Sequence, residues 1–271
     1  MRWLKNPASD TQITHGDRLW LYIVAAIIMF LLVVPTFIVM PMSFSDSQYL
    51  EFPPEVWSTR WYNVYFESSK WMRATVTSIQ VGILTMLVAT PMGTLAAYAL
   101  FASGHRASKA LFAFLITPMI VPVILVAIGV FYAYGRVGLN NSIFGLVLAH
   151  AVLATPLIMI VITSALRNYD LNQERVARSL GATRVKAFFV ITLPQIKFSI
   201  VTSALLGFLT SFDEVIIAIF VSGGKNATLT KHMFAALRDF IDPTIAAIST
   251  IMILISTTLL LATQFIDARK K

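Results

Sequence analysis

A chain of 271 residues with 57% hydrophobic and 13% charged residues has too few polar side chains to cover the surface of a soluble domain. A mean hydropathy of +0.76 points to a bilayer as its solvent. The absence of cysteine excludes disulfides, thiolate metal ligands and a cysteine nucleophile. A net charge of +8 would suit nucleic acid, but the basic residues stand in short loops between apolar runs, which is the membrane pattern, so no nucleic-acid partner is expected.

A helix crossing the hydrocarbon core needs about 20 mostly apolar residues. Six runs meet that length, at 19–41, 75–101, 110–134, 143–165, 196–221 and 244–266. The first is too long for a signal peptide and its polar lead lacks a small-residue cleavage pattern, so it reads as a retained span. The expected fold is an all-α membrane protein with an N-terminal segment 1–18, a six-span domain 19–266 and a tail 267–271. Of the 21 Lys and Arg, fourteen fall on one side of the spans and seven on the other. Positive charge gathers on the cytoplasmic side, which puts both termini and the loop 166–195 there. The segment Met42–Ala74, with Trp57, Trp61, Tyr62, Tyr65 and Trp71, then faces outward with rings suited to a membrane surface. Pro91, Pro118, Pro122 and Pro156 each free a backbone carbonyl inside a span, and read either as kinks that shape packing or as hinges that widen a path.

Between the fourth and fifth runs lies the charged, helix-capable stretch ERVARSLGATRVKAFFVITLP, Glu174 to Pro194. Asp170 or Asn172 is placed to cap a helix whose first turn holds Glu174. Val176, Leu180 and Val185 recur at near-helical spacing, with the small Ala177 among them. Gly181 with Ala182 permits a turn or a close backbone approach between two short helices, and Pro194 limits the connection into the fifth span. A plain alternative is an Arg-rich amphipathic helix lying on anionic lipid.

The order Ala177, Gly181, Ala182, then Ile191, Leu193 and Pro194 resembles the cytoplasmic coupling loop, the EAA loop, of the membrane subunits of bacterial ABC importers. The usual Glu of that loop is replaced by Arg175 and the first of its two Ala by Val176, while Glu174 stands one place earlier. The runs WSTRWYNVYF, LTSFDEVIIAIFVSGG and TLTKHMFAALRDFIDPTIAAIST are similar to the second permease subunit of spermidine/putrescine-type importers, so the likeness covers the chain from about Trp57. The resemblance implies a type I importer permease fold and a loop, about 168–195, that docks on ATPase subunits through Glu174, Ala177, Leu180, Gly181, Ala182, Ile191, Leu193 and Pro194. It also implies a heterodimer with another permease, two cytoplasmic ATPases that bind ATP and Mg, and a periplasmic solute-binding protein. No cofactor is expected in this chain. It has no G-x-x-x-x-G-K-[ST] loop, and Gly223-Gly224-Lys225 is followed by Asn226 on the outer face, so energy comes from elsewhere.

Asp213 and Glu214 are the carboxylates inside a span, where a charge costs about 2.5–3.5 kcal/mol on insertion scales. Ser199, Ser203, Gly207, Thr210 and Glu214 follow one helical stripe, which is expected to line the path. Thr210, Asp213 and Glu214 are the path candidates. Neighbours on a helix point about 100° apart, so only one of the two acids looks into any one space. A path-facing acid favours a cationic, amine-bearing solute, and the resemblance implies a polyamine as the leading identity, with an amino-acid-like amine or an organophosphonate, as in related importers, as alternatives. Lys197, about 25 Å away along a helix, is not the partner of Glu214. His150 reads as a neutral histidine bonded to a neighbouring helix, with a proton relay as the alternative, and no second ligand at metal spacing accompanies it. A proton-coupled secondary transporter built on Asp213 and Glu214 and an intramembrane enzyme are the rivals from other classes. The first leaves the cytoplasmic loop without a role, and the second lacks a nucleophile–base constellation.

Overall fold

The computed structural model describes residues 14–268, with side chains described to residue 258 and at Leu261. Arg2, Lys5, Arg269, Lys270 and Lys271, which belong to the expected cytoplasmic segments, lie outside the described residues. The chain divides into two compact units, one running to residue 65 and including 241–254, the other comprising 66–240 and the segment from 255. Among the described residues there is no strand, and an isolated antiparallel bridge joins Ser45 to Trp57.

The first unit contains α1 (Leu19–Met42), most of α2 (Arg60–Glu67) and the start of α13 (Thr244–Ala268). No residue of α1 is buried, and Trp20, Phe30 and Leu32 are 65%, 68% and 72% exposed. A helix apolar all round needs lipid or another chain to cover it. Past its end, Ser43 donates to the carbonyl of Met40 at 2.6 Å and so accepts from Tyr62 at 2.7 Å. The aromatic segment is less interfacial than its composition suggests. Trp61, Tyr65 and Trp71 are buried, Trp61 Nε1 donates to the carbonyl of Ser47 at 3.0 Å, and Trp57 alone of the three tryptophans is exposed.

The second unit is built from α3 (Ser69–Ser103), α4 (Ser108–Leu115), α5 (Val123–Val137), α6 (Ile143–Arg167), α7 (Asn172–Ser179), α8 (Arg184–Ala187), α9 (Leu193–Gln195), α10 (Lys197–Phe212), α11 (Ile216–Val221) and α12 (Leu229–Asp239). The two longest helices of this unit start at hydroxyl caps. Ser142 accepts the Gly145 N–H at 3.0 Å at the head of α6, and Ser68 plays the same part for α3. Both helices run on through Pro91 and Pro156.

Among the described residues, α1, α3 and α6 are long and apolar enough to cross a bilayer alone. Two helix pairs reach that length and hydropathy only when taken together: Ser108–Met119 with Val123–Val137, bent by 88°, and Arg184–Gln195 with Lys197–Phe212, bent by 79°. The expected run 110–134 is thus kinked at its prolines, and the run 196–221 starts at a bend and is broken once more. Pro118 opens a 3-10 turn and Pro122 heads α5, so the third run turns between them. The fifth run turns at Ile196 after Pro194 and leaves the helix again at residues 213–215. The described part of α13, Thr244–Thr258, is apolar but shorter than a crossing helix.

The core of this unit is the packing of α3, α6 and α10. Ile158 of α6 is fully buried between two glycines, Gly93 of α3 and Gly207 of α10. A Cβ at Gly93 would sit 2.7 Å from Ile158 Cγ2, and one at Gly207 3.1 Å from Ile158 Cδ1. In lipid, where burial of apolar surface gives helices little reason to associate, such close approach supplies the van der Waals contact that holds them. Ser203 is likewise fully buried, so the middle of the predicted stripe packs between helices and does not line a path. Gly93→Leu is expected to overpack this joint, costing about 1–3 kcal/mol, and to lower the melting temperature of the detergent-purified protein. The same change at Gly129, which faces open space, should leave it nearly unchanged.

Candidate functional site

The loop after α6 is a folded unit, not a linker. Asp170 Oδ1 accepts the N–H of Asn172 at 2.9 Å and so caps α7, while Asn172 accepts from Arg175 Nη1 at 3.1 Å. Gly181 holds φ +92, which an L side chain rarely adopts, and turns the chain from α7 to α8. The hydroxyl of Thr183 then caps α8 by accepting from the N–H of Lys186 at 3.2 Å. Ala177 lies under the turn, its carbonyl accepting from the N–H groups of Leu180 and Ala182. Leu180, Val176 and Val185 stand outward, 84%, 60% and 66% exposed. Ile191 and Leu193 are half-buried, and Leu193 packs on the core beside Ile196 and Phe188. Pro194 opens α9 ahead of the 79° bend. Arg175, Arg178 and Arg184 share a cavity of about 470 Å³ between α7 and α8.

Glu174 faces the other way. It is 5% exposed, accepts from the Tyr98 hydroxyl at 2.7 Å on one oxygen, and accepts from the Thr192 hydroxyl on the other. A threonine has one hydroxyl hydrogen, so Tyr169 Oη, 2.9 Å from Thr192 Oγ1, is the donor of that pair. Burial pushes the Tyr169 hydroxyl above its ordinary pKa. Thr192 closes a π-helical turn, Phe188–Thr192, whose Phe188 ring lies 4.4 Å from that of Tyr98. Glu174 thus ties the loop to α3 and to the entry of α10. The first turn of α7 points it at Tyr98 and away from solvent, so in this chain it faces the interior while Val176 and Leu180 face outward.

The second candidate is the break in the fifth span. Glu214 folds back to accept the N–H groups of Ile216 and Ile217 at 2.8 and 3.0 Å, so it caps α11. At the other end of α11, Lys231 Nζ donates to the carbonyls of Ile219, at 3.1 Å, and Ser222. Burial lowers the Lys231 pKa. A helix of six residues therefore carries a carboxylate at its positive end and an ammonium at its negative end. Asp213 is exposed, and among the described residues nothing hydrogen-bonds its carboxylate. Thr210 is half-buried and returns its hydroxyl to the carbonyl of Leu206 at 2.8 Å. The structure thus separates the two acids: Glu214 is occupied by backbone and Asp213 is open. Immediately before the break, Ser211 donates to Thr85 at 3.2 Å and lies 2.8 Å from His150 Nδ1. The proton of that pair then belongs to His150, so three helices meet in one buried chain of bonds. Gly224–Asn226 forms a 3-10 turn in which Lys225 is exposed, with α12 starting only at Leu229.

Sequence reasoning did not find Tyr98, Thr192 or Lys231. Tyr98 lies 76 positions from the Glu174 carboxylate it bonds, and Lys231 lies 12 and 9 positions from the Ile219 and Ser222 carbonyls it closes, separations that no helical period reports.

The family of binding-protein-dependent transport system inner membrane components matches residues 89–271. The chain belongs to this family. It is 35% identical over 205 residues to the putrescine transport system permease protein PotI of Escherichia coli, covering 73% of each chain. It is 29% identical to the spermidine/putrescine transport system permease protein PotC of Haemophilus influenzae, over 88% of this chain and 92% of that one. A chain of a bacterial alginate ABC transporter, solved with an alginate pentasaccharide-bound periplasmic protein, shares its fold with a TM-score of 0.68 at 19% identity, over 93% and 94% of the two chains. The protein is a permease subunit of an ABC importer.

In the permease, replacing Glu174 by Ala strands the hydroxyls of Tyr98 and Thr192 in a buried site, at a cost of about 1–3 kcal/mol. Glu174→Ala should lower the melting temperature more than Tyr98→Phe does. The two together should fall short of additive, which a double-mutant cycle on the purified protein reads directly.

Proposed function

We propose that this permease forms half of the translocation path for a small cationic solute, a polyamine such as putrescine or spermidine, across a bacterial inner membrane. The observation that carries the solute class is the likeness to polyamine permeases over most of the chain. The open carboxylate of Asp213, beside a break where the fifth span leaves its helix, supports it, since an ammonium is the group such an acid attracts. Asp213 receives the amine, Thr210 lies one turn before it, and Glu214 keeps the half-helix in place.

In this reading six spans carry both termini to the cytoplasm. A second permease completes the path, a periplasmic solute-binding protein delivers the solute, and two cytoplasmic ATPases drive alternating access by binding and hydrolysing ATP with Mg. The permease docks on an ATPase through the outward face of α7 and α8. Leu180, Val176 and Val185 supply the apolar knob, Gly181 and Ala182 the closely approached turn, and Arg175, Arg178 and Arg184 a cleft for an acidic partner group. Glu174, Ile191, Leu193 and Pro194 act from behind, passing movement of the loop to α3 and α10.

Uptake of labelled putrescine and spermidine, in cells lacking the chromosomal copy and with all partner genes intact, tests the assignment. The wild-type chain is expected to restore uptake. Asp213→Asn should reduce it about tenfold at low solute, the value of one charge-assisted hydrogen bond. Gly181→Asp should abolish uptake and association with the ATPase together. Unchanged uptake of both amines on deletion would discard the polyamine identity, and normal uptake by Gly181→Asp would discard the docking role.

A further inference from the structure

Where α3 and α6 end and α4 begins, a cavity of about 230 Å³ opens among Leu100, Phe101, Phe112, Lys109, Thr163 and Arg167. Its walls are mostly apolar, and both cations are exposed at its rim. No acidic side chain lines it, and among the described residues the one ion pair is Arg238 with Asp239, so neither charge is neutralised by a carboxylate. The hydroxyl of Thr163 is buried there without a hydrogen-bond partner.

The two cations differ in what they gain from the fold. Arg167 stands in the last turn of α6, where the helix dipole favours it. Lys109 stands in the first turn of α4, at the positive end of a helix that has no acidic residue in that turn and no side-chain cap. A lysine in that place is disfavoured by its own helix, and an anion brought to the cavity reverses the sign. The cavity is below the roughly 300–1,000 Å³ of sites that enclose a whole small ligand, so it fits a charged headgroup whose remaining bulk stays outside. Positive charge, an unpaired hydroxyl and aromatic walls coincide at the ends of three apolar helices.

We propose that this cavity holds the phosphate of an anionic phospholipid, bound by Lys109 and Arg167 with Thr163 as a further donor, and with the acyl chains lying along Phe101 and Phe112. The assignment rests on the reading that α3 and α6 end, and α4 begins, at a bilayer surface. It is independent of the solute.

The test uses the whole importer complex, delipidated in detergent and titrated with phosphatidylglycerol or phosphatidylcholine, with bound lipid counted by native mass spectrometry. Phosphatidylglycerol should be retained in preference. A basic residue near an anionic surface is worth about fivefold in affinity, so Lys109→Ala/Arg167→Ala should weaken retention at least about tenfold. Arg106→Ala, on the same loop but outside the cavity, should weaken retention less than the double variant does and should leave the preference for phosphatidylglycerol in place. Thr163→Val, which keeps the shape and removes the hydroxyl, should give an intermediate loss. Equal retention of the two lipids, no loss in the double variant, or no retained lipid at all because a partner subunit fills the cavity would overturn the proposal. Replacement of the lipid by inorganic phosphate, with phosphate retained instead, would overturn it in favour of a free anion. None of these readouts depends on polyamine uptake, so failure of the solute assignment leaves a separate signature.

Discussion

Inside a bilayer no water is present to satisfy a backbone group, so every place where a span leaves its helix must be closed by the protein itself. The fifth span breaks at 213–215 and would strand donors at the head of α11 and acceptors at its tail. Glu214 takes two of the donors and Lys231 two of the acceptors. Thr230 adds a bond to the Glu214 carbonyl, and Asn141 N–H closes on the carbonyl of Val221 at 2.7 Å. Once these partners are assigned, the division of labour between the two neighbouring acids follows. Glu214 is committed to backbone, and the carboxylate left open is that of Asp213.

The same demand for partners shapes the loop. A buried carboxylate is stable only where donors reach it, and Glu174 has a tyrosine from α3 and a threonine from the π turn. Those bonds fix α7 relative to two other elements of the unit, through the carboxylate to α3 and through Thr192 to the turn that enters α10. A π turn is a natural site for this, because its extra residue rotates one side chain out of the α register without ending the helix. The arrangement also accounts for the departure from the usual loop pattern. With an arginine at the usual glutamate position, the acid one place earlier points inward and the outward face is basic.

Much of this was legible in the sequence, in proportion to how local the signal was. The apolar runs of α1, α3 and α6 stand as uninterrupted helices, since twenty or more apolar residues leave little choice. Gly181 and Pro194 marked a turn and a bend that are both present, because each acts through its own backbone. Pro118 and Pro122 marked the kink within 110–134, whereas hydropathy, which does not register direction, gave no sign that the run 196–221 leaves its helix at residues 213–215. The polar stripe misled for a related reason. Small and polar residues at helical spacing suit a wet path and a tight helix joint equally, and Ser203 and Gly207 serve the joint with α6. Glu174 was found as a position but not as a contact, since Tyr98 comes from a helix folded much earlier in the chain.

Rigidity and mobility are distributed accordingly. The Ile158 joint, locked by two glycines, and the His150–Ser211–Thr85 chain both hold α10 against α3 and α6 up to residue 212. Beyond that residue the connection depends on side-chain caps, and before Lys197 it depends on the 79° bend at Ile196. A helix fixed in its middle and jointed at both ends can pass a rotation from the loop to the break without unpacking. Because Glu214 and Lys231 cap the two ends of α11, that half-helix can shift while its backbone groups stay bonded. That is the property a path needs if it is to open within a bilayer and still leave no polar group unmet.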